Sequence, residues 1–283
     1  MQMKIIGKVL KNLNEKRLIW FFIAAATALL NYYVFLLIAE LLGSKKPEFI
    51  ALMFASAVIV HEIFHYLAFE ANKIPARMFF LFVMGGTMEL KAFKEKLADL
   101  SLERKAIIFI SGVFGNIFVI IAYFLFFRQG FLTQNEFLSV LNLNSVLILY
   151  NLFPLWIFDG GYFAKTLFNS INNRRRDTDY ELAMMAGFVG ILMIIMVITG
   201  NLDITSFLVI PLALHIRARM LISLHWVPFD LHIRSRIEEP LGFKNPKSIP
   251  LSRQKWWAAL YLILILISAI IVANTTSWIF LVQ

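Results

Sequence analysis

Phe49-Ile50-Ala51-Leu52-Met53-Phe54-Ala55-Ser56-Ala57-Val58-Ile59-Val60-His61-Glu62-Ile63-Phe64-His65-Tyr66-Leu67-Ala68-Phe69-Glu70-Ala71 is an apolar run long enough to cross a bilayer, with two imidazoles and a carboxylate set inside it. About 20 apolar residues span the hydrocarbon layer as a helix. At about 3.6 residues per turn, His61 and His65 fall one turn apart on one face, where both can reach a single metal ion. Glu62 sits off that chelating line but close enough to take a proton from a water at the metal, the division of labour in an H-E-x-x-H helix. Chance predicts only about 0.004 such matches in a chain of this composition. An ionisable group at a membrane helix centre costs about 2.5 to 3.5 kcal/mol, so three of them together argue for a task.

The rest of the chain fits that frame. It has 283 residues, 60% of them hydrophobic, 28 Phe and 16% charged, with no Cys; its mean hydropathy is +0.74. This is the composition of a polytopic membrane protein. Without Cys, disulfides and thiolate metal sites are excluded, and zinc must be held by nitrogen and oxygen. The net charge of +9 raises nucleic acid as a partner. The basic residues, however, cluster between apolar runs as topology determinants do, so no nucleic-acid partner is expected.

Apolar runs occur at about Leu18 to Leu42, Phe49 to Ala71, Ala106 to Phe127, Phe137 to Phe158, Leu182 to Gly200, Ile204 to Ile216 and Trp257 to Val282. They predict an all-α polytopic membrane protein with six or seven transmembrane helices. Ala24-Ala25-Ala26 mimics a signal-peptide cleavage site, but the run continues well past it and reads as an uncleaved helix. With seven crossings and a cytosolic N-terminus, all but three of the 27 basic residues lie on the inside; Lys45, Lys46 and Arg128 are the exceptions. His65 then lies roughly 9 Å below the cytosolic surface, at about 1.5 Å per residue.

A catalytic zinc has three protein ligands and one open position for water. His215, His225 and His232 are chemically able to be the third, but they lie in or beside an Arg-containing stretch and read as interfacial polar residues. Asp159 is better placed, at the cytosolic end of its run, within Asn151-Leu152-Phe153-Pro154-Leu155-Trp156-Ile157-Phe158-Asp159-Gly160-Gly161. Pro154 breaks the helix ladder there and Gly160-Gly161 loosens the backbone; broken helices at membrane depth line protein cavities. By itself this segment reads equally as a helix end with an interfacial Asp or as a ligand-bearing site.

Arg77 to Leu90 is too short and too glycine-interrupted to span. Its two apolar arms around Gly85-Gly86 predict a short membrane-dipping β-hairpin near the active site, with an open edge able to pair with an extended peptide. Asn31 and Glu40 in the first run read as polar contacts between helices, and Met184-Met185 and Met193 to Met196 as lipid-facing or packing residues. The basic, proline-containing segment 217–256 reads as a cytosolic loop. The whole chain, 1–283, is expected to be a single transmembrane domain with its core at about 49–163, a hairpin at about 77–90 and no separate soluble domain.

H-E-x-x-H at His61 to His65, followed in a later segment by N-x-x-P-x-x-x-x-D-G at Asn151 to Gly160, resembles the site-2 protease family of intramembrane zinc metalloproteases. The small-residue stretch Ser111-Gly112-Val113-Phe114-Gly115-Asn116 adds to the likeness, which covers about Phe49 to Phe163. The resemblance implies one Zn2+ on His61, His65 and Asp159, with water in the fourth position, and Glu62 as general base and acid. It also implies substrate contacts from Asn151, with Asn116 a weaker member of that set beside its reading as a helix-packing residue. It points likewise to the hairpin, Gly85, Gly86 and Thr87, as a substrate edge. The activity implied is cleavage of a transmembrane or membrane-associated protein near the cytosolic face, in a multi-pass protein of the cell membrane, under control of a regulatory membrane protein. The alternative is a metal-binding membrane transporter or a catalytically silent scaffold of the same fold, against which an intact Glu62 argues.

Overall fold

The computed structural model describes residues 15–41, 43–74, 76–81, 84–89, 96, 99–154, 158–169, 188, 192 and 251–279. Its elements in chain order are α1 (Glu15–Leu41), α2 (Pro47–Ala71), β1 (Ala76–Leu81), β2 (Met84–Glu89), α3 (Leu102–Arg128), α4 (Gln134–Asn151), α5 (Asp159–Asn169) and α6 (Leu251–Ile279). Four helices among the described residues are long and apolar enough to cross a membrane: Ile19–Leu41, Pro47–Ala71, Leu102–Arg128 and Ser252–Thr275. The chain is a mainly helical protein of the membrane-spanning kind. The expected runs Leu182 to Gly200 and Ile204 to Ile216, and His215, His225 and His232, lie outside the described residues. So do Met184-Met185, Met193 to Met196 and nearly all of the expected cytosolic loop at 217–256.

The helix ends follow from local chemistry. Pro47 opens α2, where its missing N–H costs nothing, and Glu48 lies in the positive first turn. Ser101 caps α3 by accepting the Arg104 N–H, and Thr133 and Glu136 form a reciprocal capping box on α4. After α2 the chain reverses through Lys73, held at φ 56°, with the Ile74 N–H donating back to the Phe69 carbonyl at 3.0 Å. This left-handed stop turns the chain back so that β1 and β2 lie against α2.

The two strands pair antiparallel, from Ala76 opposite Glu89 to Leu81 opposite Met84. One expectation is corrected here. The reversal falls between Leu81 and Met84, whereas Gly85 and Gly86 lie inside β2 opposite Phe80 and Phe79. Glycine within a strand admits close approach of another backbone, so it marks a contact surface as readily as a turn.

Helices in lipid gain little from burying apolar surface against each other, and close packing of small residues takes over. Ala57, Val119, Val140 and Leu143 join α2, α3 and α4. A larger cluster of Ile110, Val113, Leu149, Phe153, Phe163, Tyr261 and Ile265 ties α3, α4, α5 and α6. The expected run Phe137 to Phe158 is not one continuous helix: α4 stops at Asn151 and α5 begins at Asp159, with Pro154 in the break. Among the described residues α4 is also the most polar of the long helices, and Ser139, Asn142, Asn144 and Ser145 are all buried. It is sheltered by α3 and α6 rather than bathed in lipid, since Asn144 bonds to Asn116 and Asn142 to Thr275.

Candidate metal centre

Asp159, the first residue of α5, meets the two histidines of α2 across more than 90 positions of sequence. Its Oδ2 lies 3.1 Å from His61 Nε2 and 3.0 Å from His65 Nε2, and the two Nε2 atoms are 3.2 Å apart. A tetrahedral zinc with bonds of about 2.0 to 2.1 Å needs donors about 3.3 Å apart, so this triangle is close to the face of such a site. The three residues form the metal-ligand group found among the described residues.

The protonation pattern fits a cation as well. His61 Nδ1 is 2.8 Å from Asn116 Oδ1. The orientation of that amide is decided by its other end, because Asn116 Nδ2 faces two acceptors, the Ala57 carbonyl at 3.2 Å and Asn144 Oδ1 at 3.1 Å. Asn144 in turn is anchored by donating from Nδ2 to the Val140 carbonyl at 2.9 Å. Oxygen must therefore face His61, Nδ1 must carry hydrogen, and Nε2 is left with its lone pair toward Asp159. His65 is arranged the same way: its Nδ1–H is shared by the Ile108 carbonyl at 2.9 Å and Ser111 Oγ at 3.1 Å, while Ser111 donates to Ile108 at 2.7 Å. Two imidazole lone pairs and a carboxylate then converge on one point, which a positive ion relieves.

Gly112 keeps that point clear. A Cβ built there would overlap His61 Cε1, His61 Nε2 and His65 Nε2, the space in which an ion shared by the imidazoles belongs. One turn on, a Cβ at Gly115 would lie 2.8 Å from the Val60 carbonyl and 2.9 Å from His61 Cα, so glycine sets how closely α3 crosses α2. The partners of both imidazoles thus come from a single helix, α3, through Ile108, Ser111, Gly112 and Asn116. Nitrogen and oxygen donors of this kind suit zinc.

Asp159 is held through its loop. Tyr261 of α6 donates its hydroxyl to the Leu152 carbonyl, and a Cβ at Gly160 would overlap the Leu152 backbone. Tyr261 also stacks on Phe163 with centroids 5.4 Å apart. The histidines are 7% and 6% exposed, whereas the Asp159 side chain is 23% exposed, so access to the triad is from the Asp159 side. Glu62 and Asn151 are both half-buried.

The sequence had grouped Asn116 with substrate contacts. The structure seats it behind His61, fully buried with each polar atom of its amide engaged, as an orienting residue. Ser111 and Asn144 were not singled out for the site, and a buried Ser or Asn in an apolar helix gives no sign of which imidazole it serves. No protein-family model matches the chain, and neither a curated protein nor a solved structure is significantly similar to it.

Proposed function

We propose that this protein is an intramembrane zinc endopeptidase of the site-2 protease type, cutting a transmembrane or membrane-associated protein near the cytosolic face. The observation that carries the reading is the convergence of His61 Nε2, His65 Nε2 and Asp159 Oδ2 within 3.0 to 3.2 Å of one another, on helices apolar enough to cross a bilayer, with Glu62 next to the first ligand. His61, His65 and Asp159 would hold the ion, which when bound supplies Lewis-acid polarisation of a carbonyl and a water of lowered pKa.

The chain's own residues do the rest. Glu62 accepts a proton from the attacking water and hands it to the leaving nitrogen. Asn151 contributes amide hydrogen bonds to the substrate carbonyl as charge develops on its oxygen. Buried imidazoles with fixed tautomers need no reorganisation during the reaction. A helical substrate conceals its peptide bonds in its own ladder, and β2, with Gly85, Gly86 and Thr87, provides an edge on which an unwound segment can pair. The N-terminus is cytosolic, with seven crossings in the cell membrane, and a regulatory membrane protein controls access.

The test uses purified protein in lipid vesicles, wild type beside Glu62→Gln, assayed for zinc content and for cleavage of a fluorogenic single-span peptide. The expected result is one zinc per chain in both, with turnover at least about 100-fold lower in the variant. A chain that takes up no zinc, or a variant that cuts normally, would sink the reading.

A further inference from the structure

Asn31 lies in the middle of α1, 1% exposed, and neither its Nδ2 nor its Oδ1 has a hydrogen-bond partner among the described residues. Leaving both ends of a carboxamide unpaired at membrane depth is costly, and a leucine of similar size would remove the cost. The position faces a specific seam. On α1 the buried residues Ala24, Asn31, Phe35 and Ala39 form one stripe, and Phe35 packs with Ala51, Ala55 and Val58 of α2. Steps of four, three and four residues from Ala51 lead through Ala55 and Val58 to Glu62, so Glu62 continues the α2 face that α1 covers.

Depth agrees with this. The two helices are antiparallel and joined by a short turn. Counting about ten residues back from Leu41 and about ten forward from Pro47, at about 1.5 Å each, brings Asn31 level with Ala57-Val58, about one turn from Glu62. β1 also packs against α1 and α2. Within its apolar window α1 is 17% buried, against 39 to 50% for the other three spanning helices, which makes it the wall least held by its neighbours.

We propose that Asn31 is a substrate-binding residue whose carboxamide pairs with the backbone of an unwound membrane peptide in the seam between α1 and α2. A primary amide presents one donor group and one acceptor, the complement of the N–H and C=O that a peptide exposes when its helix opens. The inference rests on the proteolytic reading and adds to it the wall of the cleft opposite the metal.

The experiment compares wild type, Asn31→Leu and Asn31→Gln as full-length protein in vesicles, using a fluorogenic single-span peptide of about 20 apolar residues. Expected for Asn31→Leu are unchanged zinc content and Co2+ absorption spectrum, a melting temperature equal to or above wild type, and kcat/KM about tenfold lower, chiefly through KM. Asn31→Gln, which keeps the amide, recovers part of the loss. Turnover by Asn31→Leu equal to wild type overturns the proposal, as does a lowered melting temperature with loss of zinc, which would make Asn31 structural. A parallel arm places a benzophenone side chain at position 31 in the Glu62→Gln background and seeks photo-crosslinks to the same peptide. Capture supports the seam as a peptide site even if wild type leaves the peptide uncut, in which case the proteolytic reading alone falls; absence of capture overturns the proposal.

Discussion

The two faces of α2 are built to opposite specifications. Toward α3, glycines set the crossing and each imidazole has its partner, through Asn116 and Asn144 for His61 and through Ile108 and Ser111 for His65. Toward α1, an apolar stripe surrounds one carboxamide that has none. Satisfied polar networks in low dielectric rigidify a site, and unsatisfied ones are retained only against a cost. The contrast separates a face that fixes an ion from a face that receives something else.

The α3 face breaks most completely at Gly112. Gly112→Ala puts a methyl where the imidazoles converge, and metal affinity measured by chelator competition should fall at least about 100-fold, the upper end of what outer-shell changes cause. A variant that binds zinc as tightly as wild type would show that the ion sits elsewhere. Asn116→Leu removes the acceptor that sets the His61 tautomer while leaving the ligands in place. Its affinity should drop about 10-fold or more, and Asn144→Leu should produce a smaller loss in the same direction. Equal affinities across that pair would disconnect α4 from the metal.

A smaller effect is expected where α6 supports the Asp159 loop. Tyr261→Phe leaves the Leu152 carbonyl without its side-chain donor, a loss of about 1 to 3 kcal/mol, readable as a lower melting temperature in detergent and a modest fall in zinc affinity. A drop in melting temperature with unaltered affinity would assign Tyr261 to the bundle and not to the site.

The smallest effect belongs to the far end of the α2 face, where Lys46 meets Glu136 at 2.7 Å. Burial pushes the Glu136 carboxyl up, but Lys46 and Thr133 outweigh it and hold its pKa below the usual value. A depressed carboxylate contributes stability that is present above its unfolded pKa and disappears as pH falls through the folded one. Lys46 is 52% exposed, so solvent screens the pair and Lys46→Ala should cost less than about 1 kcal/mol. Thermal melts between neutral pH and about pH 3 should show the difference between wild type and Lys46→Ala vanish in acid. A difference that persists there would mean Lys46 acts by something other than this pairing.

Much of the bundle was readable because the bilayer imposes a length. The apolar runs at Leu18, Phe49, Ala106 and Trp257 match α1, α2, α3 and α6 within a few residues at most ends. The hairpin was read less well: strand signal in Met78 to Leu90 was clear, but glycine serves turns and close approach alike, and the reversal fell at Leu81 to Met84 instead. The α4 break was foreshadowed by Pro154, whereas the burial of Ser139, Asn142, Asn144 and Ser145 had no local signature.

What the amino-acid order determined alone is local: a four-residue step that sets His61 above His65, a carboxylate beside them, and enough apolar length to hold all three in a membrane. Which carboxylate closes the triangle, which atom of each imidazole points inward, and why position 112 must lack a side chain were decided by tertiary structure. Each depends on where helices distant in sequence cross, and helical periodicity specifies what a helix presents on each face without specifying which neighbour that face will meet.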